Sequence, residues 1–181
     1  MSRAAALLDL LDGFEPDDAL EARHRDELRA LTQVSGDPFA RNHWEPGHFT
    51  ASAFVLSPDD QDILLIFHEK LQRWLQPGGH IDPEDTDVVS AALREVAEET
   101  GLTGVQVVGA GLFDVDVHVI PPRKQDPPHR HYDARILLRA PDRSFSAGSD
   151  ALAARWVPLA DVESVDTDES VLRAVRKIRR R

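Results

Sequence analysis

The feature that most restricts what this chain can fold into is one internal helix set between runs of strand-like sequence. Residues 75–102, LQPGGHIDPEDTDVVSAALREVAEETGL, hold a glycine pair, an acidic turn and a helical stretch from about Val88 to Thr100. Gly101 follows, where a C-cap glycine belongs. Upstream, FTASAFVLS (49–57) and DILLIFHE (62–69) read as a hairpin around Pro58-Asp59-Asp60. Downstream, 105–120 carries one or two strands, 132–140 another and 154–162 a short one; TDESVLRAVRKIRRR is a closing helix. Strands on both sides of one helix, with a second helix at the end, give an α+β or layered α/β/α arrangement.

The 181 residues suit one domain of ordinary size with a small appendage. The sequence divides into an N-terminal helical segment and linker, 1–45, and a main domain, 46–181. In the first part Leu7, Leu8 and Leu11 share one helix face, and Leu20, His24, Leu28 and Leu31 share another. The opening MSRAAALLDLLDGF mimics a secretion signal, but Asp9 and Asp12 interrupt its apolar run, so it reads as an amphipathic helix. No stretch approaches the ~18 apolar residues of a membrane span, and a cytoplasmic location is expected. A net charge of -11 repels nucleic acid and anionic membranes. The absence of cysteine excludes disulfides, thiolate metal sites and thiol nucleophiles. The basic tail RKIRRR suggests nucleic-acid contact, but acidic residues begin that helix and arginines end it, which complements the helix dipole.

On a helix advancing by about 100° per residue, Glu95, Glu98 and Glu99 fall within an arc of about 100°, and Val89, Leu93 and Val96 gather about 140° away as a buried stripe. Arg94 lies one turn before Glu98 and can hold its carboxylate. Two readings of the glutamates stand: a solvated face, or hard oxygen ligands for Mg²⁺ or Mn²⁺.

REVAEETGL (94–102) resembles the REUxEExGU core of the Nudix box, and PGGHI (77–81) resembles that family's glycine-containing loop. The full pattern is Gx5Ex7REUxEExGU. Here Gly79 to Arg94 spans one residue more, so Glu84 or Asp85 stands in for the first glutamate. The resemblance covers roughly residues 46–165. It implies a Nudix fold, an α/β/α sandwich with a mixed sheet, and metal-dependent hydrolysis of a nucleoside diphosphate linked to another moiety. By position it implies Glu95, Glu98, Glu99 and the Gly79 carbonyl as ligands for Mg²⁺ or Mn²⁺, Arg94 as their orienting residue, and Glu95 or Glu98 as the base. The small-molecule substrate is not specified, and a homodimer would suit the family. Isopentenyl diphosphate isomerisation needs a cysteine that this chain lacks; an inactive ligand sensor is the alternative, though such domains usually lose box glutamates.

A second polar constellation flanks the Pro-rich loop. By period 2, Asp114, Asp116 and His118 share a strand face, as do His129, His131 and Asp133. If the strands pair, Asp116, His118, His129, His131 and Asp133 converge as a substrate or second metal site, joined by His80 and His68. The plainer reading is a polar strand face with surface histidines. Arg123 and Lys124 are candidate phosphate contacts, and Asp150 a candidate further ligand. Trp74 and Trp156 read mainly as packing residues.

Overall fold

A computed structural model of the chain describes residues 1–69, 71–123, 125–145 and 153–181. Two helices, α1 (Arg3–Asp12) and α2 (Ala19–Leu31), precede strands β1 (Gly47–Leu56), β2 (Asp62–His68), β3 (Arg73–Leu75) and β4 (Gly78–His80). Helix α3 (Val88–Thr100), strands β5 (Gln106–Ile120), β6 (His129–Arg139) and β7 (Ala154–Pro158), a short 3-10 turn and helix α4 (Glu169–Ile178) complete the chain. The expected one or two strands at 105–120 are one long strand, irregular between Val107 and Asp114.

The sheet runs β3-β2-β1-β6-β5, with β4 beside β1 and β7 beside β2. It is mixed: β1 pairs in parallel with β6 and antiparallel with β2 and β4. One edge of β1 is divided, with Thr50, Ala51 and Ser52 taking β4 and Val55 and Leu56 taking β2. All ten residues of β1 are buried, as expected for a strand covered on both faces.

Alternation along β1 gives the two faces different chemistry. Phe49, Ala51, Ala53 and Val55 meet Val88, Ala91, Ala92 and Val96 of α3, and Leu7, Leu11, Leu28 and Leu31 of the N-terminal helices belong to the same cluster. On the other side Phe54, Leu56 and Leu137 meet Val171, Ala174, Val175 and Ile178 of α4. The layered α/β/α arrangement follows directly. Two expectations shift in register. Val89 and Leu93 are only partly buried, because small Ala91 and Ala92 let α3 approach the sheet on that line. In α2, Leu20 is exposed and Glu21 turns inward, where Lys177 of α4 reaches its carboxylate at 2.6 Å.

Helix α3 is closed at both ends. Asp87 caps its N-terminus in a reciprocal pair with Ser90, and Gly101 ends it at φ 68, a left-handed conformation that favours glycine. In α4, Asp168 accepts from the Val171 N–H at 2.9 Å. The basic tail is tied down: Arg180 pairs with Asp17 and Arg179 with Glu163. Among the described residues, no helix is long and apolar enough to cross a membrane.

Candidate functional site

Adjacent residues of a strand point to opposite faces, and in β4 this separates two sites. Gly79 turns toward α3 and His80 away from it. A Cβ on Gly79 would lie 2.6 Å from Glu95 Oε1. A side chain there would push the carboxylate away, so glycine lets it sit directly against the loop backbone. Glu99 Oε2 accepts from the Gly78 N–H at 2.9 Å. The glycine loop and the glutamate helix are therefore one unit.

Arg94 is the hub of that unit. Its guanidinium donates to Glu95 at 3.0 Å, to Glu98 at 3.1 Å and to the His80 carbonyl at 2.9 Å. It also grips Asp85 with Nε and Nη2, the shortest contact being 2.8 Å. Of the two acids that could stand in for the first glutamate of the pattern, Asp85 meets Arg94, and Glu84 is exposed. Asp85 is buried and accepts from the Asp82 N–H at 2.8 Å. Burial alone would raise its carboxyl, but the bonds from Arg94 and the backbone outweigh that and hold it below the ordinary carboxylate range. Asp85 faces the arginine, and its role is to anchor the residue that aligns the other carboxylates.

Glu95 is largely buried, and burial raises its carboxyl despite Arg94 beside it. Glu98 keeps 59% of its side chain exposed. Glu95, Glu98 and Glu99 lie together near the C-terminal end of α3, and one guanidinium aligns the first two carboxylates. That chemistry suits a hard divalent ion.

The β5–β6 hairpin forms in the register that brings the second constellation together: Asp116 lies opposite Asp133, and His118 opposite His131. The structure then divides this group. Asp133 accepts from Thr50 at 3.0 Å, Ser52 at 2.7 Å and Arg135 Nε at 2.9 Å. Arg135, 2% exposed, also bonds Asp114 at 3.1 Å and Ser170 of α4 at 2.9 Å. Arg173 of α4 adds bonds to Asp114 and the Val115 carbonyl. Asp116 lies between Arg135 and Arg173 at 3.4 Å from each. Its carboxyl is pushed up by burial, but these cations and His118 hold it well below the usual range. Asp116 and Asp133 therefore belong to a buried ionic network that joins the sheet to α4, not to an open substrate surface. Sequence reasoning passed over Arg135 because it sits in the otherwise apolar run ARILL.

The histidines gather at the other end of the same face. His48 of β1, unremarked in the sequence, is fully buried at the centre. Its ring lies 5.1 Å from His80, 5.0 Å from His129 and 4.7 Å from His131. His118 is 5.5 Å from His131, and the Trp44 ring is 4.7 Å from His129. Burial and the neighbouring imidazoles lower His48 to about 4, and His80 and His131 are lowered for the same first reason. The only sequence signal for His48 was its period-2 alternation with Thr50 and Ser52 on a strand that is otherwise apolar.

The remaining candidates lie elsewhere. His68 accepts from the Leu71 N–H at 3.3 Å at the end of β2. Arg123 makes a backbone bridge to Asp126 in the loop. Trp74 packs on Phe67, with the Arg155 guanidinium 4.1 Å above its ring. Trp156 packs on Phe145 and donates to the Arg143 carbonyl. Lys124 and Asp150 fall outside the described residues.

The sequence model of the NUDIX domain matches residues 46–176. The human protein named diphosphoinositol polyphosphate phosphohydrolase 3-alpha is 33% identical over 93 residues, 49% of this chain and 51% of its own length. The Bacillus subtilis (strain 168) protein named "Putative 8-oxo-dGTP diphosphatase" is 28% identical over 110 residues, 60% of this chain and 66% of its own. The matches therefore span about half to two thirds of these relatives. Among solved structures, a Clostridium perfringens hydrolase of the NUDIX family superposes with a TM-score of 0.55 at 21% identity, covering 72% of this chain and 95% of the other. A C. elegans Ap4A hydrolase superposes with a TM-score of 0.54 at 19% identity, covering 71% and 93%. At these identities the likeness is one of fold.

Proposed function

The chain belongs to the NUDIX family, and from that premise we propose that it hydrolyses a pyrophosphate bond in a nucleoside diphosphate derivative, with Mg²⁺ or Mn²⁺ held by Glu95, Glu98, Glu99 and the Gly79 carbonyl. The observation that carries this reading is the Arg94 hub, which fixes Glu95 and Glu98 against the glycine loop and is itself anchored by Asp85. A solvated glutamate face would need no such clamp. A bound divalent ion supplies charge neutralisation for the diphosphate and a lowered pKa for the attacking water.

The chain's own residues do the rest. Glu95, packed against Gly79, is fixed before substrate arrives, so little of the site's alignment has to be bought from binding energy. Glu98 is the carboxylate of the hub that meets solvent, and we assign it proton acceptance from water. Relatives act on varied substrates: their names include 8-oxo-dGTP and diphosphoinositol polyphosphate. The diphosphate is the element common to this reading, and the group attached to it is set by loops around the site.

The test is hydrolysis across nucleoside triphosphates, nucleotide sugars and dinucleoside polyphosphates, with Mg²⁺ and then Mn²⁺. Turnover of at least one member is expected, reduced by about 100-fold or more in Glu98→Gln and Glu99→Gln. Nucleotide binding without turnover on every member would replace the enzyme with a ligand sensor.

A further inference from the structure

We propose that the histidine cluster around buried His48 is a second metal site, separate from the glutamates, in which His48, His80 and His131 bind one first-row transition ion of the zinc type. One ligand nitrogen from each of the three lies within 4.8 Å of the others. Bonds of about 2.0–2.1 Å to a tetrahedral zinc separate ligands by about 3.3 Å. Small ring rotations therefore close the set.

The tautomer of His48 gives the second argument. Its Nδ1 lies 3.3 Å from the His43 carbonyl, which can only accept, so Nδ1 carries the proton. Nε2 is left with a lone pair, and it is buried without a hydrogen-bond partner. A fully buried nitrogen with an unmet lone pair, aimed among other imidazoles, is costly unless something accepts it. A histidine whose other nitrogen donates to a backbone carbonyl is the usual arrangement behind a metal ligand. His129 next to it fixes the tautomer of His131: its Nδ1 donates to the Pro127 carbonyl at 2.8 Å, so its Nε2 accepts from His131 Nε2 at 3.3 Å and the lone pair of His131 is on Nδ1.

The two sites differ in ligand chemistry. Imidazole nitrogens favour zinc, cobalt, nickel or copper, whereas the oxygen set favours Mg²⁺ or Mn²⁺. They also lie on opposite faces of β4, so the proposal does not depend on the hydrolase reading.

Co²⁺ titration of the full chain in excess Mg²⁺, which occupies the oxygen site, tests it. One equivalent of Co²⁺ with visible d–d bands is expected, displaced by Zn²⁺. His80→Asn and His131→Asn should each weaken binding at least tenfold, while Glu98→Gln leaves it unchanged. X-ray absorption of the zinc-loaded wild type keeps the test independent of whether the variants fold; a nitrogen shell with imidazole-ring scattering is expected. An all-oxygen shell, no Co²⁺ retained in excess Mg²⁺, or binding lost in Glu98→Gln but kept in the histidine variants would each overturn the proposal.

Discussion

A lysine in place of Arg94 would keep the positive charge and lose the fork that reaches Asp85, Glu95, Glu98 and the His80 carbonyl together. Arg94→Lys is expected to lower kcat/KM by about 10–100-fold with the circular dichroism spectrum unchanged. Gly79→Ala should act by another route: its methyl would displace the Glu95 carboxylate, so metal-dependent turnover falls while the chain still folds. Asp85→Asn has a pH signature. Because the folded carboxyl is held below its ordinary 3.8, its contribution is fully present above that pH and lost as pH falls through the folded value. The variant should therefore be less stable than the parent by about 1–3 kcal/mol at neutral pH, with the gap closing in acid. Urea melts at a series of pH values measure it. The Arg94–Glu98 pair could be read from spacing along one helix. The Arg94–Asp85 pair could not, because it depends on how an irregular loop folds back on that helix.

At the scale of elements, helix α3 rests on its two ends as much as on its buried face. Asp87→Ala removes the cap and should cost about 1 kcal/mol. Gly101→Ala forces a β-carbon into the left-handed region, at a cost of about 1–2 kcal/mol. Thermal unfolding of the two single variants and the double tests both, and the effects should add, since the ends are well separated. This helix was legible in the sequence almost to the residue, because capping and periodicity are local. Its inward line was legible less well. The glycine–glutamate contact and the small Ala91 and Ala92 set the approach of helix to sheet, and such contacts are made in three dimensions. For the same reason the hairpin that unites Asp116 with Asp133 was readable from alternation, whereas the division of that face into an ionic half and an imidazole half was not. Arg135 and His48 decide that division, and each lies on a buried strand where burial, not sequence, reveals what it meets.

Across the whole molecule, the two helical layers are joined to the sheet by different means. The α3 side is apolar, while the α4 side has the Arg135–Asp114–Asp116–Asp133–Arg173 network beside its apolar contacts. Arg135→Met would leave three buried carboxylates short of their central cation, and a loss of about 3–5 kcal/mol is expected, read as a lower urea midpoint. The N-terminal helices add a strap, since Glu21 and Asp17 reach Lys177 and Arg180 at the far end of the chain. The parallel pairing of β1 with β6 has a consequence for how the protein is made. Thr50 and Asp133 meet across 83 residues of sequence, so the most buried strand has no partner on one side until most of the chain has left the ribosome. Closing so long a loop is slow and precedes its reward. Newborn chains should therefore pass through a stage in which β1 is open to proteases and chaperones, and its protection in a time course of synthesis should arrive late and all at once.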